Sequence, residues 1–298
     1  MMVGLPPDLD DVLEEAWQKT RRVPGYLGEN EARFLGILAA CAPAEGAIVE
    51  IGSFKGKSTV MLASVAAHYG LGPVVAIDPH NAPCATDPRI AAGSSTFEEF
   101  LVSVRTAGLA EHVETHRAFS RDVAKGWNQP IRLLWIDGDH TFRGAKEDFD
   151  LFTAHLVKGG VVALHDVLNS FEGPIRVFVE EILRSDRYGP AGVVQSTAWG
   201  QFRPEDGKDF QKLRNRIERS ARRMLPFVAN GRPIEGLVKM GYKLARSRVP
   251  RGAITPSDWF ALVSQARADW NASSCPTDAT RRSNRPLLAK PGRTSRSA

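Results

Sequence analysis

The chain has 298 residues, 43% hydrophobic and 24% charged, the composition of a globular protein with about two units or one domain and an extension. It holds no apolar stretch near the ~18 residues of a membrane span, its first residues lack the basic start and apolar run of a secretory signal, and Cys41, Cys84 and Cys275 lack Cys-x-x-Cys spacing. An integral membrane protein, a disulfide framework and a cysteine zinc site are therefore excluded, and a cytoplasmic location is expected. The net charge of +5 is unevenly spread: residues 1–204 carry 19 Lys+Arg against 26 Asp+Glu, residues 205–270 carry 14 against 7, and residues 271–298 carry 6 against 1. Charge acts where it sits, so the acidic body is the first place to seek function.

Residues 8–41 read as two helices separated by Pro24, Gly25 and Gly28, and residues 1–45 as an N-terminal helical cap. Short apolar runs then alternate with amphipathic stretches. Strands are expected at 47–51, 73–77, 112–116, 131–136 and 160–165, with helices near 57–68, 96–107, 143–155 and 173–185. Strands apolar on both faces and joined by helices form a parallel sheet with right-handed crossovers. Residues 193–196 and 199–203 alternate with no room for a helix between them, which predicts a closing antiparallel pair. The expected fold is a doubly wound α/β domain over 46–204, a basic helical extension over 205–270 and a disordered tail over 271–298. Because the alternation is complete near Pro204, the extension reads as an add-on.

The first strand leads into Glu50-Ile51-Gly52-Ser53-Phe54-Lys55-Gly56-Lys57-Ser58-Thr59. This glycine turn imitates a triphosphate loop, which needs four residues between its glycine and Gly-Lys-Ser/Thr; only Ser53, Phe54 and Lys55 intervene. Glu50 would repel a phosphate yet could receive an ammonium group. Asp78 ends the second strand, where an acid can accept two hydrogen bonds from a ribose diol. A structural turn and a helix cap are the alternatives for the two features.

The fourth strand ends in Asp137-Gly138-Asp139-His140 and the fifth in His165-Asp166. Parallel strands bring all of these to one sheet edge, beside Glu50 and Asp78. Hard oxygen ligands favour magnesium or calcium, and an imidazole admits manganese or zinc. Helix caps and interface histidines are the competing reading.

On these residues the segment 30–204 resembles the class I S-adenosylmethionine-dependent methyltransferases, with their Rossmann-like sheet. Within them it is similar to a bacterial branch with Ile-Asp-Gly-Asp-His and a following His-Asp, and to the metal-dependent O-methyltransferases of the catechol and macrocin types. The resemblance implies that Glu50, Gly52, Ser53, Gly56 and Ser58 border the methionine part of S-adenosyl-L-methionine, with Asp137 beside them, that Asp78 holds the ribose and that Ser120 lies near the adenine. It places Asp137, His165 and Asp166 on the metal-ligand positions, with Mg2+ the expected ion, although His165 stands where relatives carry Asp or Asn. It makes Asp139 the leading general base, with His140 beside it. A hydroxyl on a sugar, glycoside or other small molecule is the implied acceptor.

Loop 79–95, with Pro79, Pro83 and Pro88, reads as a lid or as a surface excursion. A P-loop ATPase is the enzymatic rival. The non-enzymatic rival is a scaffold whose basic C-terminal third binds an anionic surface, through stripes such as Leu213, Ile217, Ala221, Met224 and Ile234, Leu237, Val238; a solvated helix pair packed on the acidic body is the favoured reading of the same stripes. A peripheral position at the inner membrane and a homo-oligomer are compatible with that third. Aromatic residues are too sparse there to suggest nucleic-acid stacking.

Overall fold

The computed structural model describes residues 5–81, 95–228 and 234–264. Most of the expected lid and all of the expected disordered tail lie outside them. Among the described residues, no helix is long and apolar enough to cross a membrane.

Seven strands form one sheet in the order β3-β2-β1-β4-β5-β7-β6: β1 Ala47–Ile51, β2 Val74–Ile77, β3 Val113–His116, β4 Ile131–Ile136, β5 Leu156–Leu164, β6 Tyr188–Val194 and β7 Thr197–Phe202. β1 to β5 pair in parallel, and β7 runs antiparallel to both β5 and β6. Side chains alternate between two cores. Ile48, Val74, Ala76, Leu133 and Trp135 face α1 (Leu9–Thr20), α2 (Glu29–Cys41) and α3 (Lys57–Tyr69). Val49, Val75, Leu134 and Val162 face the other side, against α6 (Phe142–Thr153) and α7 (Glu172–Val177). This alternation on two covered faces is why the strands read as continuous apolar runs.

The fifth strand begins at Leu156, earlier than expected, because Lys158 and Gly159 interrupt its apolar run without ending it. β6 begins at Tyr188, five residues before the expected 193. Its Gly189, Pro190 and Gly192 look like loop residues in the sequence, but an edge strand tolerates them. Ser120–Ala124 (α5) is too short to show a periodicity, and the expected helix 173–185 continues past α7 as a π-helical stretch, Phe178–Leu183. α4 spans Phe97–Thr106.

The basic extension is packed into the body, not appended to it. α8 (Gln211–Ala221) buries Ile217 and Ala221 in the second core with Met224, whereas Leu237 and Val238 of α10 (Gly236–Arg246) are exposed; the short α9 (Leu225–Val228) lies between the two helices. Arg214 is fully buried and donates to the backbone carbonyls of Leu183, Ser185, Tyr188, Gly189 and Gly207. Past α10 the chain crosses the β6–β7 turn, where Gln195 N donates to Arg251 O at 3.4 Å. The last described element is α11 (Pro256–Ser264) on the opposite face, where Trp259 lies buried with its ring centroid 4.6 Å from Trp199 and 5.8 Å from Phe34.

Candidate active site at the strand ends

Gly52 leaves β1 with φ +87°, and a Cβ there would collide with the Asp137 carbonyl, so only glycine lets the first turn lie against the loop after β4. Gly56, at φ +89°, then opens α3. Asp78 fastens this turn: its carboxylate accepts from Phe54 N at 2.8 Å and His80 N at 2.7 Å. Each oxygen retains a lone pair for a ligand hydroxyl. Lys57, which a phosphate loop would aim into its nest of amides, instead reaches Gly25 O at 3.4 Å, and Tyr26 stacks on Phe54 at 6.1 Å. The link between α1 and α2 thus covers the glycine turn.

Glu50 is fully buried on the α3 side of β1. Thr59 Oγ1 donates to its Oε2 at 2.5 Å, while among the described residues Oε1 has no hydrogen-bond partner; the buried hydroxyl of Ser53 has none among them either. Burial pushes the Glu50 carboxyl up to about 8, hydrogen bonds from Ser58 and Thr59 oppose this, and the charges of Asp137 and Asp78 add to it. A native state that holds this proton, where the unfolded chain releases it, loses stability as pH rises from about 4.5 to about 8. Glu50→Gln is expected to remove that slope in denaturant titrations. If an ammonium group binds beside Oε1, the carboxyl must ionise. Calorimetry at pH 7 in buffers of different ionisation enthalpy should then show about one proton released per S-adenosylmethionine bound by the native protein, and none by Glu50→Gln.

Asp137, His140, His165 and Asp166 meet where β4 and β5 end. His165 Nδ1 lies 3.1 Å from Asp137 Oδ1 and its Nε2 lies 3.7 Å from Glu31 Oε1, so the ring bridges α2 to the site. Burial disfavours its charge, but Asp137, Glu31 and Asp166 hold its pKa well above 6.5. Burial likewise opposes the charge on Asp137, and His165 and His140 hold that carboxyl down at about 2. His140 stacks on Phe171 at 4.5 Å and turns Nε2 to Asp137 at 3.4 Å and Asp166 at 3.7 Å. Asp166 occupies the left-handed region at φ +57°, a strained conformation of the kind that persists where the surroundings hold it. Tyr242 of α10 supplies part of that hold, donating to Leu168 O at 2.7 Å and accepting from Ser170 N at 2.6 Å.

Two expected roles change. The cation-sized group among the described residues is Asp137, His140 and Asp166, whose donor atoms all lie within 4.8 Å of one another; His165, expected with them, stands beside this group with Nδ1 3.1 Å from Asp137, and its enclosed Nε2 makes no hydrogen bond to the described residues, 3.7 Å from Glu31. Asp139 is drawn to the start of α6, where it accepts from Thr141 N at 2.8 Å, and the structure does not bring it into the cluster. Ser120 donates to Asp148 Oδ1 at 2.5 Å, so its hydroxyl is engaged at the expected adenine end. Glu31, His80, Asp148 and Tyr242 were missed. Glu31 and Tyr242 lie on helices distant in sequence, while Asp148 looked like an ordinary polar position of an amphipathic helix. His80, buried with Nδ1 3.0 Å from Thr96 Oγ1, sat in the presumed loop.

A doubly wound parallel sheet with its seventh strand reversed, and a glycine turn and ligand-bearing side chains gathered at the carboxyl ends, defines an α/β fold that binds its ligands at this edge. Residues 49–167 match the family described as "Methyltransferase domain". The segment that carries the site thus matches a methyltransferase domain, and the resemblance to class I S-adenosylmethionine-dependent methyltransferases is borne out over that segment. Among solved structures, the O-methyltransferase NovP is similar at 12% identity over 65% of this chain and 98% of its own, with a TM-score of 0.52, which shows the fold. The cofactor-bound Rv0187 from MTB is 20% identical over 69% and 94%, TM-score 0.47. The O-methyltransferase from Bacillus cereus in complex with SAH is 19% identical over 68% and 94%, TM-score 0.46.

Proposed function

We propose that the protein transfers the methyl group of S-adenosylmethionine to a hydroxyl of a sugar, glycoside or other small molecule, assisted by a divalent cation. The observation that carries the reading is the pair of buried polar atoms without a hydrogen-bond partner among the described residues, Glu50 Oε1 and Ser53 Oγ, beside a turn that only Gly52 permits. A ligand ammonium satisfies Glu50, and Asp78 lies one strand away to accept the ribose diol.

A sulfonium methyl is already activated, so the protein has chiefly to align a nucleophile and exclude water. Asp137, His140 and Asp166 are the residues that would hold the cation; two carboxylates and an imidazole suit magnesium or manganese. Such an ion lowers the pKa of a hydroxyl held against it. His165 holds Asp137 in place through Nδ1, and the Glu31 carboxylate, 3.7 Å from Nε2, favours the charged ring. Tyr26, stacked on Phe54, covers the methionine end against water.

Calorimetry separates this reading from the ATPase. S-adenosylmethionine is expected to bind, ATP with magnesium is not, and Asp78→Ala should weaken S-adenosylmethionine at least tenfold while the thermal midpoint records any loosening of the turn. Undiminished binding by Asp78→Ala would remove the ribose assignment, and tighter binding of ATP would remove the function.

A further inference from the structure

β6 runs parallel to β5, because both are antiparallel to β7, so the β6–β7 turn at Gln195 and Ser196 stands on the same sheet edge as Asp166. A cavity of about 370 Å³ opens there, between the start of α2 (residues 28–31), this turn and Arg246. It adjoins the cluster directly: Glu31 forms one wall and approaches His165, and Ser196 O accepts from Val167 N at 3.0 Å, next to Asp166.

The acids on its wall are already engaged. Glu29 pairs with Arg33 at 2.9 Å, and Glu31 Oε1 accepts from Ser196 N at 3.0 Å and Ser196 Oγ at 2.6 Å while facing His165. The basic groups are not. Arg246 Nε is buried without a hydrogen-bond partner, and neither Arg246 nor Arg251 has an ion-pair partner among the described residues. Burial lowers the pKa of Arg251, and the Arg246 charge lowers it further, so the two guanidinium groups sense each other. Arg246 lines the polar cavity, and Arg251 stands behind it, its backbone carbonyl accepting from Gln195 N on the cavity wall; an oxyanion in the cavity meets the Arg246 guanidinium with charge-assisted hydrogen bonds and gains from the second positive charge close by. Their placement is also fixed relative to the chemistry. Tyr242, one turn before Arg246 on α10, holds the Asp166 loop through Leu168 and Ser170.

We infer that the methyl acceptor carries an anionic group, a phosphate or a carboxylate, which Arg246 binds with the charge of Arg251 behind it, while the hydroxyl to be methylated lies toward Asp166. This assignment rests on the methyltransferase reading. It gives the basic extension a part in acceptor choice, in addition to its part in the core.

The test uses the full chain, methyl-tritiated S-adenosylmethionine and a small-metabolite extract of the source cells divided by anion exchange into neutral and anionic fractions. Label is expected in the anionic fraction. Arg246→Gln should lower that transfer at least tenfold, mainly through KM, with S-adenosylhomocysteine affinity unchanged, and Arg246→Lys should restore part of it. Phosphatase treatment of the fraction abolishes labelling if the group is a phosphate and spares it if the group is a carboxylate. Label confined to the neutral fraction, label in neither fraction while S-adenosylhomocysteine still binds, or full transfer by a folded Arg246→Gln protein overturns the inference. Failure to bind S-adenosylhomocysteine at all would instead remove the underlying methyltransferase reading.

Discussion

Arg214→Met is expected to lower the thermal midpoint by roughly 10 °C, and truncation after Pro204 to yield protein that is insoluble or lacks cooperative unfolding. The Arg214 side chain is buried and serves five backbone carbonyls at the end of the π-helical stretch, the start of β6 and Gly207. Methionine fills a similar volume but donates nothing, and each buried acceptor left unsatisfied costs about 1–3 kcal/mol, moderated where the carbonyls relax toward water. Truncation removes this arginine together with Ile217, Met224, Tyr242 and Trp259, which belong to both cores. Lys212→Met, at an exposed position of the same helix, is the control and should change stability by less than about 0.5 kcal/mol. Denaturant unfolding of the three proteins decides the point. A cooperatively folding 1–204 fragment would restore the extension to an add-on.

Asp166→Asn is expected to reduce turnover by roughly a thousandfold while leaving S-adenosylhomocysteine affinity within a few-fold of the native value. Asparagine tolerates the left-handed backbone at φ +57°, so the substitution removes charge with little strain. Loss of a carboxylate from Asp137, His140 and Asp166 weakens any hold on a divalent ion, whose part in such a transition state is worth several kcal/mol, tenfold for each 1.36 kcal/mol. Activity of the native protein with a genuine acceptor should vanish in EDTA and return with magnesium or manganese. Turnover that survives both EDTA and Asp166→Asn would exclude the cation and leave His140 to act on the hydroxyl directly.

The centre of the sheet is legible because β1, β2, β4 and the second half of β5 are buried on both faces and read as short apolar runs; β3, Val-Glu-Thr-His, is only partly buried at the edge. β4 coincides with its expected residues and β1 does likewise. The edge strand β6 was shortened because its proline and glycines carry no strand signal. Strand order then determined which side chains share an edge, and so Glu50, Asp78, Asp137 and Asp166 could be grouped from sequence. Orientation could not be read that way. Whether Asp139 turns to the cluster or to the start of α6 depends on one Asx turn, and whether His165 offers a nitrogen to a cation depends on Glu31, more than a hundred residues earlier. How deeply the extension enters the core is not legible for a related reason. Its arginines look solvated in sequence, and nothing local marks Arg214 as the one that goes inside.

The most direct test of the central claim is a crystal structure of the full chain with S-adenosylhomocysteine. The ligand's amino group is expected within hydrogen-bond distance of Glu50 Oε1, and its ribose hydroxyls on the Asp78 carboxylate. The thioether sulfur should face the Asp137, His140 and Asp166 cluster. A ligand bound elsewhere, or one at this edge whose amino group leaves Glu50 without a partner, would contradict the account.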